Sequence, residues 1–176
     1  MVIDNLLGSI IMLDAKLAAE KYEKATLRPV ESQHSKLMQI ITKNKDTEYG
    51  KLYGFSSIKN ISDYRRQVPV IEYEDIRHYI DRVAEGERNI LTAEPPVMFS
   101  RTSGTMGKPK YIIVTPTCQK KEHANTIKTW GYYLKQNHPR MHSGYTVSLA
   151  SKAVEGYTKG GIPYGSTSGY IYQSMP

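Results

Sequence analysis

Nine consecutive residues carry the clearest chemistry in this chain: Thr102-Ser-Gly-Thr-Met-Gly-Lys-Pro-Lys110. Gly104 and Gly107 allow successive backbone N–H groups to turn inward as an anion nest. Thr102, Ser103 and Thr105 add hydroxyl donors, while Lys108 and Lys110 add positive charge. A phosphate oxygen held there would take several charge-assisted hydrogen bonds of about 1.5–3 kcal/mol each. Pro109 pins the exit of the segment and so limits the entropy lost on ordering it. The string is not a Walker P-loop, because two residues rather than four separate Gly104 from Gly107-Lys108, and Pro109 stands where that motif needs a hydroxyl. It is not a dinucleotide fingerprint either. The bland alternative is a polar hairpin turn; the distribution of charge along the chain favours phosphate.

That distribution is uneven. The chain of 176 residues has a net charge of +7. Residues 1–50 hold seven basic and seven acidic side chains, and residues 51–100 hold seven and eight. Residues 101–150 hold eight basic side chains and a single acid, Glu122. The excess therefore coincides with the glycine-hinged segment, which points to an anionic partner: small phosphate, nucleic acid or lipid. Trp130, Tyr132 and Tyr133 among Lys120, Lys121, Lys128 and Lys135 also fit a nucleic-acid surface, although helical spacing spreads those lysines around a solvated face.

Other constellations are weaker. Gly165-Ser-Thr-Ser-Gly169 has the outline of a hydrolase elbow, but Thr167 replaces the serine and no helix is expected after it. His138 and His142 have ligand spacing, yet Pro139 and Gly144 spoil a ligand helix, and His34, His78 and His123 are scattered, so the sequence assigns no metal site to the chain itself. Glu72, Glu74 and Asp75 read as complements to a helix dipole rather than as an acid pair. Asn60-Ile-Ser62 fits a glycosylation sequon but reads better as a helix-entry turn. The one cysteine, Cys118, excludes an internal disulfide and any multi-thiolate zinc site, and suggests a reducing compartment. The apolar run Leu6–Leu13 lacks a preceding basic residue and is too short to span a bilayer, so neither a signal peptide nor a membrane span is expected.

The elements that must position the segment follow from periodicity. Residues 3–25 read as an amphipathic helix with Ile3, Leu6, Leu7, Ile10, Leu13 and Leu17 on its inward face. Pro29 breaks it, and a second helix carrying Leu37, Met38, Ile40 and Ile41 runs to about Asn44. Two glycines make Thr47–Phe55 a loop. A short helix near Ser62–Gln67 precedes an extended Val68-Pro-Val70. Glu72–Glu85 is a helix with Ile76, Ile80 and Val83 inward, ended by Gly86. Beyond Pro95-Pro96, Val97–Phe99 and Tyr111–Val114 are strands flanking the glycine-hinged segment. Thr115 and Pro116 open a helix that uses Ile127, Trp130 and Leu134 and ends near His138-Pro139. Tyr145–Ala150 alternates as a strand, and residues 152–176 read as loop or hairpin. Mean hydropathy is −0.51, and with 14 Tyr against 2 Phe the core must be rich in tyrosine, each buried hydroxyl requiring a partner. The coarse answer is a single α/β unit.

The nine-residue string resembles the phosphate-loop signature of the AMP-forming adenylating superfamily, with Met106 standing where Ser or Thr is usual; this removes one side-chain hydroxyl and leaves the backbone N–H. A narrower resemblance covers residues 33 to the end. Thr47-x-Tyr-Gly-Lys51, Gly54-Phe55, Val68-Pro-Val-Ile-Glu-Tyr-Glu-Asp-Ile76, Tyr79-Ile80, Gly86-Glu87, Leu91-Thr92, the string itself and Gly160-Gly-Ile-Pro-Tyr-Gly165 are similar to the auxin-responsive acyl-acid amido synthetases.

This resemblance implies an α/β fold: the N-terminal part of the large domain of an acyl-adenylating enzyme, a helical front followed by strands around a phosphate loop. It implies ATP with Mg²⁺, a carboxylic acid and an amine or amino acid as substrates, ligation through an acyl-adenylate, a cytoplasmic setting, and neither nucleic acid nor membrane as partner. Thr102, Ser103, Gly104, Thr105, Met106, Gly107 and Lys108 would bind the nucleotide's phosphates, with Lys110 as the catalytic cation and Lys108 the position where the family varies. Members run to several hundred residues, so residues 1–176 are expected to be an N-terminal fragment of the adenylating domain, without the C-terminal domain and inactive alone. The alternative is an inactive piece that only binds phosphate, nucleic acid or protein.

Overall fold

The computed structural model describes residues 2–102, 109–140, 147 and 149–173. In chain order the first elements are α1 (Val2–Thr26), α2 (Pro29–Asn44), α3 (Glu48–Leu52), a 3₁₀ turn (Phe55–Ser57), α4 (Ile61–Gln67) and α5 (Tyr73–Ala84). The hairpin strands β1 (Met98–Arg101) and β2 (Tyr111–Val114) follow. After them come a π-helical turn (Cys118–His123) that leads into α6 (Ala124–Asn137), then β3 (Gly156–Tyr157), β4 (Pro163–Gly165) and α7 (Thr167–Gln173). The single unit expected from the sequence divides in two: Met1–Gln33 with Thr117–Ser148, and His34–Pro116 with Leu149–Pro176.

The second unit holds the sheet, in the order β2-β1-β4-β3. β1 pairs antiparallel with β2 and parallel with β4, and β3 pairs antiparallel with β4, so the sheet is mixed. Its core has two apolar clusters. Ile41, Phe55, Ile58 and Val68 pack with Tyr49, Tyr53 and Tyr64. Ile80 and Val83 of α5 pack with Ile90 and Phe99, lined by Tyr73, Tyr111 and Tyr164. The inward face expected of α5 is the one observed. The core expected to be rich in tyrosine is instead aliphatic with Phe55, Met98 and Phe99: every tyrosine with a described side chain is only partly buried or exposed, several lining the two clusters. Among the described residues no buried side-chain polar atom lacks a hydrogen-bond partner.

Thr47–Phe55, expected as a loop, contains α3 and the start of the 3₁₀ turn. The fully buried Thr47 is the N-cap: its hydroxyl accepts from the Gly50 N–H at 2.9 Å and donates to Asn44 C=O at 2.7 Å. Gly50 is required by close approach rather than by a turn, since a Cβ there would lie 2.1 Å from the Asn44 carbonyl oxygen. Asn60 caps α4, its side chain accepting from the Asp63 N–H at 2.9 Å, so the sequon residue is indeed a helix-entry cap.

The first unit pairs α1 with α6. Both helices form where periodicity places them, with Pro116 at the first helical position; the side chains of Ile3, Leu6 and Leu7 lie outside the described ones, and the rest of the expected faces is turned outward. Leu13 is 58% exposed and Trp130 68%, with Ile10, Leu17 and Ile127 also exposed, whereas Ala19 is 1% exposed and Ala15 and Thr129 are buried. Small side chains let helices approach closely. Of the strand expected at 145–150, the described residues 147, 149 and 150 are not in a strand, and the others lie outside the described residues. In the tail, expected as loop or hairpin, β3 and β4 form a hairpin, and α7 follows where no helix was expected.

Candidate phosphate-binding site

The antiparallel register of β1 and β2 brings Met98 opposite Val114 and Arg101 opposite Tyr111. The ladder continues one step beyond the strands: Thr102 N–H donates to Lys110 C=O at 3.0 Å, and Lys110 N–H donates to Thr102 Oγ1 at 3.1 Å. The glycine-hinged segment is thus the connection of a β-hairpin, and Thr102 and Lys110 form its neck. The Thr102 hydroxyl accepts from the backbone, which leaves its own proton able to donate. Ser103, Gly104, Thr105, Met106, Gly107 and Lys108, also expected at the site, lie outside the described residues.

Lys110 is exposed, with its ammonium 5.1 Å from the centre of the Tyr73 ring. The neighbouring cations have carboxylates as well as rings: the Arg77 guanidinium lies 4.8 Å from the centre of the same Tyr73 ring and that of Arg101 5.7 Å from the Tyr164 ring. Arg77 is bound to both oxygens of Glu74 at 2.6 and 2.7 Å, and Arg101 is paired with Glu155. Tyr73 also touches the neck's backbone: its hydroxyl accepts from the Tyr111 N–H at 2.8 Å and donates to Tyr111 C=O at 3.3 Å. Sequence reasoning missed this role. Tyr73 was visible only as part of the Val68–Ile76 string, and nothing in helical periodicity marks a helix's first residue as a partner of a hairpin.

Beside β1, the turn from β4 into α7 completes the strand–turn–helix shape of an elbow, which corrects the expectation that no helix follows Gly165. The chemistry of an elbow is still lacking, because the Thr167 hydroxyl donates to Ser100 Oγ rather than to a histidine. A Cβ on Gly165 would sit 2.2 Å from Ala153 C=O, so glycine there serves close packing.

The remaining candidates have local explanations. Glu72 N–H donates to Asp75 Oδ2 at 2.8 Å, an N-terminal cap on α5, and Glu74 holds Arg77. The Cys118 thiol lies 3.7 Å from His123 Nε2, and burial, aided by the Glu122 carboxylate, pushes its pKa up, so no thiolate is poised there. Lys128 is paired with Asp14 at 2.7 Å, and the Lys135 ammonium donates to Pro139 C=O at 2.6 Å. Two lysines of the supposed nucleic-acid face thus have partners within the molecule. Among the described residues no three His, Cys, Asp or Glu side chains converge as a metal site, and no helix is long and apolar enough to cross a membrane.

Comparison with known proteins is consistent across sequence and structure. Residues 18–176 match the model described as the GH3 family N-terminal domain. The chain is 27% identical to the jasmonoyl–L-amino acid synthetase GH3.3 of Oryza sativa subsp. japonica over 157 residues, 88% of this chain and 34% of that protein. It is 41% identical to the indole-3-acetic acid-amido synthetase GH3.15 of Arabidopsis thaliana over 96 residues, 53% of this chain and 16% of that one. A solved structure of a GH3.15 acyl acid amido synthetase superposes with a TM-score of 0.72 at 27% identity, covering 89% of this chain and 28% of that chain. The chain therefore spans about a third or less of the length of these relatives.

Proposed function

We propose, because this chain belongs to the GH3 family, that it carries the phosphate-binding part of an ATP-dependent enzyme joining a carboxylic acid to an amine or amino acid. The observation that supports this best is the hairpin neck. Thr102 and Lys110 are held together at the mouth of the glycine-hinged connection, with a hydroxyl proton and an exposed ammonium facing no carboxylate partner among the described residues. That donor set suits a polyphosphate.

In the proposed reaction a carboxylate oxygen attacks the α-phosphorus of ATP, the bond from that phosphorus to the bridging oxygen breaks, and pyrophosphate leaves with its electron pair. An amine nitrogen then attacks the acyl carbon of the adenylate, the acyl–oxygen bond breaks, AMP leaves and the nitrogen loses a proton. Mg²⁺ arrives with the nucleotide and offsets part of its charge. The residues of this chain act on the leaving group. The Lys110 ammonium, the Thr102 hydroxyl and the N–H groups of Ser103, Gly104, Thr105, Met106 and Gly107, with Lys108 beside them, neutralise charge that grows on the β- and γ-phosphates. Thr102 and Lys110, already held together at the neck, need little reorganisation as that charge develops. We assign residues 1–176 to the N-terminal part of an adenylating domain, and the groups that select acid and amine to the portion of the relatives that this chain does not span. The single cysteine fits a reducing, cytoplasmic setting.

The test is amide hydrogen exchange of this chain with and without Mg·ATP. Protection concentrated at residues 102–110 is expected, and loss of one charge-assisted contact in Lys110→Ala should weaken binding by about ten- to a hundredfold. Protection absent from that segment, or unchanged in Lys110→Ala, refutes the reading. The adenylation step is measured as ATP–pyrophosphate exchange against a panel of carboxylic acids.

A further inference from the structure

The geometry points to Tyr73 as the positioning residue of the phosphate loop, holding the Lys110 ammonium in place without neutralising it; this rests on the phosphate-binding reading above. Three contacts carry the inference. The first two are the hydrogen bonds between one phenolic hydroxyl and the backbone of Tyr111, accepted from its N–H at 2.8 Å and donated to its C=O at 3.3 Å. β2 is an edge strand of the sheet, so among the described residues its outward-facing N–H and C=O groups have no neighbouring strand. A hydroxyl is both donor and acceptor, and one phenol here supplies the pair of bonds that another strand would have made. The third contact is the Tyr73 ring itself, 5.1 Å below the ammonium of Lys110, the residue immediately before Tyr111.

The choice of an aromatic partner has a consequence. The Tyr73 ring also lies 4.8 Å from the Arg77 guanidinium, but Arg77 has Glu74 beside it as Arg101 has Glu155, and a carboxylate so placed beside Lys110 would cancel the charge that a polyphosphate needs. A ring attracts a cation through its quadrupole and leaves the full charge in place. The attraction is weak beside that of a phosphate, so the ammonium can be handed over when the anion arrives. Tyr73 is itself anchored, because it opens α5, whose Ile80 and Val83 are buried in the core beside β1. The chain thus fixes the neck's backbone and parks its cation with one side chain.

The test is binding of magnesium pyrophosphate to the 176-residue chain, measured by titration calorimetry for Tyr73→Leu, Tyr73→Phe, Lys110→Gln and the double variant Tyr73→Leu/Lys110→Gln. Tyr73→Leu is expected to weaken binding about three- to tenfold when Lys110 is present and to cause no further loss when residue 110 is Gln. Alongside, the Lys110 ε-methylene protons are expected to be shifted upfield by the ring in the parent chain and in Tyr73→Phe, and to return to an ordinary position in Tyr73→Leu. Equal weakening in both backgrounds, or an unshifted lysine in the parent chain, overturns the role of Tyr73 and leaves phosphate binding standing. No pyrophosphate binding by the parent chain overturns the phosphate reading, and this inference with it. If Tyr73→Leu does not fold, Tyr73→Phe decides: a Lys110 proton shift retained with the ring supports the role, and one lost with the hydroxyl alone refutes it.

Discussion

The two units of this molecule answer the same sequence rule differently. In the second, α5 places Ile80 and Val83 inward as its period requires, and the sheet covers them. In the first, α1 and α6 are helices of the expected extent, yet Ile10, Leu13, Leu17, Ile127 and Trp130 stand in solvent, and the buried positions among the described side chains are Ala15, Ala19 and Thr129. A 3.6-residue period reports that a helix has an apolar stripe. It does not report what lies against it. The second unit contains its own cover; the first joins its two helices along small residues and ties them with polar contacts, Lys128 to Asp14 and Tyr133 to Glu23.

The largest expected effect lies where the second unit is densest. Phe99 is 0% exposed and belongs to the cluster under the hairpin. Phe99→Ala should cost about 3–5 kcal/mol, read as a drop in the urea midpoint, with loss of any nucleotide-induced protection at the neck. An undiminished midpoint would show that the cluster does not hold this unit together.

A smaller effect separates the units from the side of the first. Ala19→Leu should overpack the α1–α6 contact and cost about 1–3 kcal/mol, whereas Leu17→Ser, two residues away on the exposed side, should change stability by no more than about 0.5 kcal/mol. The contrast is measured by thermal melting of both variants. If the larger loss came from Leu17→Ser, the apolar face and not the alanine face would be the packed one.

Smaller again is the cap of α3. Thr47→Ala removes the acceptor of the Gly50 N–H inside the protein and should cost about 1 kcal/mol. Hydrogen exchange at Gly50 should accelerate while the protection of α5 is unchanged.

The sequence was most legible where one residue has one job. The hairpin around the glycine-hinged segment, Pro116 at a helix start, Asn60 at another and the inward face of α5 all follow from local rules. Thr47–Phe55 was not legible, because Gly50 mimics a loop signal while its actual reason, the Asn44 carbonyl against it, depends on how α2 meets α3. The helix α7 was hidden for a related reason: Thr167 and Gly169 are poor helix formers whose placement is set by contacts with Ser100 and residues 151–153. At the candidate site the sequence supplied Thr102 and Lys110 but not Tyr73, which lies 37 residues before Lys110 and meets it only when α5 docks on the hairpin.

The smallest effect should be one of pH, with opposite signs in the two units. The Tyr133 hydroxyl of the first unit donates to the Glu23 carboxylate, which pushes the phenol's pKa up to about 12 from its ordinary 10.0. A folded pKa above the unfolded one means that the folded state binds the proton more tightly. The contribution is therefore complete below pH 10.0 and disappears as pH rises toward about 12. In the second unit the Arg82 guanidinium, through hydrogen bonds at 2.8 Å to Glu48 and to Glu87, holds both carboxyls below the usual carboxylate range. Their contribution is present above the ordinary carboxylate pKa and is lost as pH falls through the lowered values. All three groups are exposed to solvent, which damps the effects. Tyr133→Phe should flatten the alkaline arm of a melting-temperature profile and leave the acid arm unchanged; Arg82→Gln should do the reverse. A single variant that flattened both arms would mean that the two units do not lose stability independently.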